Sequence, residues 1–503
     1  MTETISGAHP GNKEKFVGKG EFILYLVAVF FYTSMTGMLG SYRSAYLVNV
    51  LRLESSQTSL FNTVISIVPF VIHFFISMYI DNRKIGKSGK FRPLVAIGAV
   101  PAGVFLILSF ITPGFIIKAG STVVMAYILT VALGFAVATQ FTGNLDTISM
   151  VMTPNMKERD TVMSFRSISS AVGNSAPLVI VLVIGLIWKN EGTQYIIGAG
   201  LCSVIGVITM LLGIRLTKER LVYSTEKKNP LEGYLNVIKN KWAWAIISSE
   251  FLKSFRNIAT YMGVFLAAAL LGSTSKFLLF GLPTGIGTAV GMLIINFLLK
   301  KFNSKILYIA SGIYSVIINT LAFAVGYIYF RTPGTALQIL FIVFLFLIGL
   351  QFGASNLLPN TFKADVLEDL ELRTGKRLDA SLPFVIGIGT LISGTIAGAL
   401  APRILYGDNS IIGYIQPTDE IENPEQTLRT KILLLFFYTI FHGIMMFLAG
   451  VPFFFYKLTG KKKEDIHNAV LEQRERMAEQ QGGVTEGASY ENANPEDGTE
   501  DRR

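Results

Sequence analysis

The chain has 503 residues, of which 51% are hydrophobic and only 16% are charged. A soluble protein of this length carries about 25% charged residues, so a soluble globular domain is excluded and a membrane protein is predicted. The net charge of +10 does not indicate nucleic-acid binding, because the basic residues lie in short segments between long apolar runs.

Residues 1–21 are polar and lack the apolar core of a cleavable signal, so the first apolar span is expected to insert uncleaved. Cys202 is the only cysteine, which excludes an intrachain disulfide and a thiolate metal site. The sequence shows neither a metal-ligand spacing nor a Ser/His/Asp set. We therefore expect no cofactor, no bound metal and no enzymatic activity.

Twelve apolar spans follow, each near the roughly 20 residues that cross a bilayer as a helix. We place them at 22–48, 58–80, 93–112, 122–146, 163–188, 195–216, 243–271, 278–298, 305–330, 337–359, 381–403 and 431–456. An all-α membrane protein with twelve transmembrane helices is predicted.

The polar break at 217–242 divides these spans into two sets of six, at 22–216 and 243–456. Each set has a basic loop after its second span, at 81–93 and 300–305, as two related six-helix bundles would have. The tail, 457–503, is predicted to begin as an exposed helix and to continue as a disordered segment.

Lysine and arginine are concentrated in the loops on one side of these spans. The positive-inside rule places those loops, and both chain termini, in the cytoplasm. The protein is thus expected to be a multi-pass protein of the cell (inner) membrane.

Three polar segments carry a recognisable pattern. The first is DNRKIGKSGKFRP at 81–93, which contains Asp81 and Arg83. The second is ERDTVMSFR, which contains Glu158, Arg159 and Arg166. The third, at 358–381, is the most polar interruption in the C-terminal half and is predicted to be a loop between the tenth and eleventh spans. Its pattern is Ala364-Asp365, the acids from Asp369 to Glu371, Thr374-Gly375 and Arg377.

These patterns resemble the glycoside–pentoside–hexuronide:cation symporters, the melibiose-permease-like branch of the major facilitator superfamily. The resemblance implies the major facilitator fold and transport of a sugar or glycoside by alternating access. It also implies that Arg166 lies near the sugar and that an acidic sugar-binding residue lies between Thr142 and Asp146. Asn144 and Asp146 are the candidates there.

These segments also supply candidates for gating or for cytoplasmic loops at the ends of the helices, namely Asp81, Arg83, Glu158, Arg159, Asp365 and Arg377. For the loop at 81–93, a cytoplasmic turn whose charges anchor two helices is the preferred interpretation, and gating is the alternative.

Ionisable residues inside apolar spans cost about 2.5–3.5 kcal/mol each on insertion scales unless they are paired or hydrated. They are Arg43, His73, Asp146, Arg166, Glu250, Lys253, Arg256 and His442. Glu250 and Lys253 are three residues apart and can form an ion pair on one helical face. Alternatively, such pairs only neutralise each other, and Arg43 and Asp146 reach out from the ends of their spans.

The arginines and lysine of this set are Arg43, Arg166, Lys253 and Arg256, and they outnumber the acids Asp146 and Glu250 by two. Unpaired cations in a low dielectric favour an anion, so an acidic substrate such as a hexuronide is one possibility. Tyr32, Tyr42 and Tyr261 are candidates for stacking on a sugar or hydrogen bonding to it.

The coupling residues of the symporter family are missing. Sodium-coupled relatives have two aspartates in the second helix, and those positions fall near Pro69 and His73 here. The lysine of their eleventh helix falls near Leu391 or Ile392. Sodium requires oxygen ligands, so a proton is favoured as the coupled cation, with His73 as its carrier, helped by Asp146 or Glu250. An uncoupled facilitator remains possible.

Two other functions stay open. The protein could be a major-facilitator porter for a non-sugar solute, such as an amphiphile or drug. It could instead be a transporter-like membrane sensor whose polar tail signals. Its partners are expected to be a small solute, a co-transported proton or sodium ion, and the lipid bilayer.

Overall fold

The computed structural model describes residues 15–82, 89–153, 155–220, 230–375, 378, 381–418, 420–421, 424–470, 472–473 and 476. Most of the described residues are helical, and the others lie mainly in the connections between helices. The helices follow the apolar spans, because a backbone in hydrocarbon must satisfy its hydrogen bonds within its own segment.

Six long helices form the N-terminal half. They are α1 (Lys19–Val50), α2 (Ser55–Asn82), α3 (Arg92–Leu108), α4 (Ser121–Val151), α5 (Met156–Ile187) and α6 (Glu191–Leu216).

Six more form the C-terminal half. They are α7 (Lys241–Leu271), α8 (Leu278–Leu298), α9 (Ser304–Arg331), α10 (Thr335–Thr374), α11 (Ser381–Leu405) and α12 (Leu428–Phe455).

Eleven helices in the described part of the chain are long and apolar enough to cross a bilayer. The twelfth, α3, is apolar and has 17 residues, the lower end of the usual range for a membrane span. It ends before the predicted limit at residue 112. The chain continues through a turn at Ser109 and Phe110. The prediction of an all-α membrane protein is confirmed.

Glycines allow neighbouring helices to approach closely. A Cβ added to Gly287 of α8 would collide with the carbonyl oxygen of Phe346 of α10, and one on Gly349 would meet the carbonyl oxygen of Thr284. The α1–α5 crossing is similar, because a Cβ on Gly37 would reach the backbone of Asn174. Small residues at such crossings are typical of membrane helix packing.

The polar stretch 358–381, predicted as a loop, is mostly helical, because α10 continues to Thr374 and ends at Gly375 with a φ of +67°. The reason is that one face of this extension is buried. Phe362, Val366 and Leu370 pack in an apolar cluster, and Asp365 is buried with them. Only the short connection from Gly375 to the start of α11 is non-helical where it is described.

The tail contains a helix over 461–470, and this helix is not exposed on all sides. Lys463 forms an ion pair with Asp365 at 2.7 Å, and His467 contacts Glu368 at 3.1 Å. Val470 is buried. The tail helix therefore packs against the extension of α10.

We name the two ends of the bundle by what they carry. The termini side holds the start of α1 and the end of α12, and the loop side holds the α1–α2 connection. On the loop side, three hydrogen bonds join α2 to α11 and its C-terminal end. The hydroxyls of Thr58 and Tyr406 bond to each other, Ser59 donates to the carbonyl of Ala399, and Asn62 donates to the carbonyl of Gly398. Every hydrogen bond between the halves that joins two described residues lies toward this side.

Candidate transport site

An ion pair joins α4 to α5 in the N-terminal half. The helical hydrogen bonding of α4 is interrupted at Gly143, and Asp146 lies in the first turn after that break. Its Oδ1 is 2.6 Å from Nη1 of Arg166. The aspartate side chain is 48% exposed and the arginine side chain 24% exposed, so a solute can reach both.

Side chains from α1 line the same region. The Tyr25 hydroxyl donates to the carbonyl of Leu145 at 2.9 Å, and the Tyr32 hydroxyl lies 3.4 Å from the position of a Cβ at Gly143. The Asn144 amide donates to the carbonyls of Gln140 and Phe141. The Asn144 amide nitrogen thus donates hydrogen bonds to two backbone carbonyls next to the break in α4. This nitrogen is therefore already hydrogen-bonded within the helix.

The C-terminal half holds a second buried ion pair. Nζ of Lys253 lies 2.6 Å from Oε1 of Glu250, and both side chains are largely buried. This is the pair expected from their spacing in the sequence. One turn further along α7, the Arg256 guanidinium lies over the ring of Phe352 at 4.8 Å. Phe352 in turn packs edge-on against His442, with ring centroids 4.9 Å apart.

Arg43 lies between the halves. Its guanidinium is over the ring of Phe61 of α2, 5.4 Å from the centroid, and it interacts electrostatically with Tyr261 of α7. The hydroxyl of Tyr261 is buried without a hydrogen-bond partner. Tyr42 faces elsewhere, because its ring packs at 5.2 Å against Tyr195 of α6. The structure therefore brings Arg43 and Tyr261 together, and Tyr42 belongs to the packing of α1 on α6.

These contacts divide the four membrane cations into two classes. Arg166 and Lys253 have carboxylate partners at 2.6 Å. Arg43 and Arg256 lie over aromatic rings, and neither forms an ion pair with a carboxylate of the described residues. Cation–π contact stabilises a guanidinium but leaves its N–H donors available for an oxyanion.

His73 lies on the exposed part of α2 and hydrogen-bonds to the Gln140 side chain of α4. It thus belongs to the N-terminal half, whereas Glu250 is buried in the C-terminal half. The structure does not place the two predicted coupling residues at one site.

Two of the predicted gating residues hold the termini side together. Glu158 accepts hydrogen bonds from the backbone N–H groups of Phe16 and Val17, both at 3.1 Å, and from the Thr153 hydroxyl. Burial raises the pKa of Glu158, but these hydrogen bonds and the charge of Arg220 outweigh it, so the pKa is below the ordinary value of a glutamate.

Asp365, the second such residue, is held by Lys463 of the tail helix. Arg159 follows Glu158 in the first turn of α5, where its N–H donates to the carbonyl of Asn155. Asp81 lies at the end of α2, but its side chain is outside the described part of the structure. Arg83 and Arg377 lie wholly outside the described residues.

Sequence reasoning missed several carboxylates that organise the ends of the bundle. Glu219 accepts the backbone N–H groups of Lys90, Phe91 and Arg92. Glu21 pairs with Arg220 at 2.8 Å. Glu191 binds residues of both halves on the loop side. Charged residues at helix ends and in connections look alike in the sequence, and only their long-range contacts distinguish these three.

Residues 24–460 match the family model described as "MFS/sugar transport protein". The chain belongs to this family. It is a multi-pass membrane transporter of the major facilitator superfamily, and the resemblance derived from the motifs is confirmed. Among the described residues, no group of three or more His, Cys, Asp or Glu side chains could hold a metal ion.

Two relatives in Escherichia coli (strain K12) match most of the chain. "Putative glycoside/cation symporter YagG" is 24% identical over 93% of this chain and 94% of its own length. "Putative sulfoquinovose importer" is 24% identical over 83% of this chain and 87% of its own length. A third, "Uncharacterized symporter YjmB" of Bacillus subtilis (strain 168), is 25% identical over 77% and 81%.

Solved transporters share the fold at lower identity. The nucleoside transporter NupG superimposes with a TM-score of 0.59 at 16% identity, over 87% of this chain and 100% of its own. The xylose transporter XylE from E. coli gives 0.55 at 11% identity, over 88% and 98%. The major facilitator fold predicted from the sequence is thus confirmed.

Proposed function

We propose that this transporter carries an anionic sugar or glycoside, bound between the halves, in symport with a proton. The observation that carries the proposal is the pair of guanidinium groups, Arg43 and Arg256, that face aromatic rings and have no ion-pair partner among the described residues. An anionic substrate would supply the missing charge. Carboxylate and sulfonate groups both suit the planar, multi-donor geometry of arginine.

The named relatives support an anion. One is called a sulfoquinovose importer, and two others are called 2,3-dihydroxypropane-1-sulfonate exporters. Sulfonates keep their negative charge at physiological pH. A uronide or a sulfonated sugar would combine such a group with hydroxyls that Asp146, Arg166 and Tyr32 can bind.

A proton suits the coupling role better than sodium. Sodium needs several oxygen ligands, and the second helix has histidine and proline near the positions where sodium-coupled relatives place aspartates. Glu250 is buried beside Lys253 and in the electrostatic range of Arg256. Glu250 is therefore one candidate for carrying the proton. His73 is the other candidate.

The membrane arrangement follows from the same reasoning. The loops on the termini side carry most of the lysine and arginine, so that side and both termini are cytoplasmic. The halves at 22–216 and 243–456 would rock about the site to expose it alternately. Glu158, Arg159 and Asp365, with Asp81, Arg83 and Arg377, would act at the cytoplasmic ends during this movement.

Uptake into proteoliposomes tests the proposal. A labelled glucuronide, sulfoquinovose and a matched neutral glycoside would be supplied with either a proton or a sodium gradient. We expect uptake of at least one anionic sugar, driven by the proton gradient and reduced by Arg43→Gln and by Arg256→Gln. Arg331→Gln is the control, because Arg331 also lies over a ring, that of Tyr327, but at the end of α9.

Preferential uptake of the neutral glycoside would contradict the anionic assignment. Sodium-driven uptake would contradict the proton, and equal uptake under every gradient would show a facilitator. A protein that moves no sugar would instead be tested with amphiphilic solutes.

A further inference from the structure

One carboxylate ties the two halves together on the loop side. Oε1 of Glu191, in the first turn of α6, accepts the hydroxyl of Thr274 at 2.6 Å and its backbone N–H at 3.2 Å. Thr274 begins the 3₁₀ turn Thr274–Phe277 that connects α7 to α8. It is fully buried although it lies in a connection.

The other carboxylate oxygen extends this junction. Oε2 of Glu191 accepts from Nδ2 of Asn49, at the end of α1, and from the Tyr195 hydroxyl, both at 3.3 Å. Oδ1 of Asn49 accepts from the hydroxyl of Tyr414 in the α11–α12 connection. Two connections of the C-terminal half are therefore held by one acid and one amide of the N-terminal half.

Hydrogen-bond donors surround the carboxylate of Glu191. Among the described residues no lysine, arginine or histidine forms an ion pair with it, and its titratable neighbours are tyrosines. Tyr195 comes from its own helix, Tyr42 from α1 and Tyr414 from the α11–α12 connection. In the described part of the chain, its carboxylate is therefore held by hydrogen-bond donors and not by an ion pair.

We infer that Glu191 is the positioning residue that keeps the loop side closed during the transport cycle. This rests on the alternating access of the proposed function, because the loop side can open only if Thr274 leaves Glu191. Hydrogen bonds to a carboxylate are about twice as strong as neutral ones. The Glu191–Thr274 contact therefore contributes to how much of the time the loop side is closed, together with the hydrogen bonds between α2 and α11 and the contact of the Tyr195 and Thr274 hydroxyls at 2.6 Å.

The variant Glu191→Gln isolates this effect. It keeps the size of the side chain but can present an NH2 donor where two donors of Thr274 now point. We expect the ratio of closed to open molecules to fall by on the order of tenfold, the effect of losing one charge-assisted hydrogen bond. Thr274→Val should act in the same direction because it removes the hydroxyl, whereas Thr274→Ser should resemble the wild type.

Distances between spin labels across the loop side measure the ratio directly. Labels at Lys118→Cys and Ala336→Cys, both exposed and in opposite halves, would report opening in lipid nanodiscs without any substrate. The buried Cys202 need not be replaced. Glu54→Gln is the matched control, because Glu54 lies on the same side and its carboxylate bonds within its own segment, to Ser56.

A wild-type distance distribution in Glu191→Gln and in Thr274→Val would overturn the inference. Because no substrate is present, this result is independent of whether the solute is an anionic sugar.

Discussion

Asp146 of α4 and Arg166 of α5 form an ion pair of 2.6 Å beside a break in α4, and both groups remain partly exposed. We expect Asp146→Asn and Arg166→Gln each to reduce solute uptake by about tenfold or more, because each leaves a charge unpaired within the membrane. The swap Asp146→Arg with Arg166→Asp restores the pair but reverses its polarity. Recovery of uptake in the swap would show that the pair is structural and does not bind the solute.

The buried pair of Glu250 and Lys253 predicts an asymmetric effect on stability. Lys253→Met leaves the carboxylate of Glu250 unpaired in a buried site, which costs about 3–5 kcal/mol in comparable cases. Adding Glu250→Gln should recover most of the loss, because two neutral groups need no mutual neutralisation. Thermal unfolding of the detergent-solubilised variants measures both effects. An equal loss in the single and double variants would contradict this account.

The helix crossing between α8 and α10 predicts opposite effects for two glycines in one helix. Gly287→Ala should destabilise by about 1–3 kcal/mol, since its Cβ would meet the carbonyl oxygen of Phe346. Gly285→Ala, two residues earlier, has nothing within 4 Å of the added Cβ. It should be neutral or stabilising by up to about 1 kcal/mol, the difference in helix propensity. Melting temperatures of the two variants measure both effects, and a similar change in the two would contradict this account of the crossing.

The tail helix predicts that the C-terminal segment contributes to stability. Removing residues 461–503 deprives Asp365, 4% exposed, of its partner Lys463. We expect a lower melting temperature for the truncated chain and a partial recovery on Asp365→Asn, which removes the buried charge. Unchanged stability after truncation would show that the α10 extension holds without the tail.

The attachment of the N-terminal segment should depend on pH through Glu158. Its pKa is lowered in the folded protein, so its contribution is present above the unfolded pKa of about 4.3 and is lost as the pH falls through the folded value. Stability between pH 5 and pH 3 should therefore fall less steeply in Glu158→Gln than in the wild type. Parallel curves of melting temperature against pH would contradict the role of this carboxylate.

Two kinds of information in the sequence were sufficient for the fold. The length of the apolar runs predicted the helices, since hydrocarbon thickness sets their length. The motifs around Glu158, Arg166 and Asp365 predicted the family. The spacing of Glu250 and Lys253 predicted their ion pair, because residues three apart share a helical face.

Tertiary structure decided what local patterns could not. The charges of 358–374 indicated a loop, and only the packing of Phe362, Val366 and the tail helix shows why they are helical. The sequence does not distinguish Arg43 and Arg256 from Arg166 and Lys253. Only the tertiary contacts show that, among these four in the described structure, Arg166 and Lys253 have carboxylate partners. Glu191 and Thr274 are separated by 83 positions. The length of an apolar run and the spacing of residues on a helix are properties of one segment. Ion pairs between helices and the closure of the loop side depend instead on which segments the fold brings together.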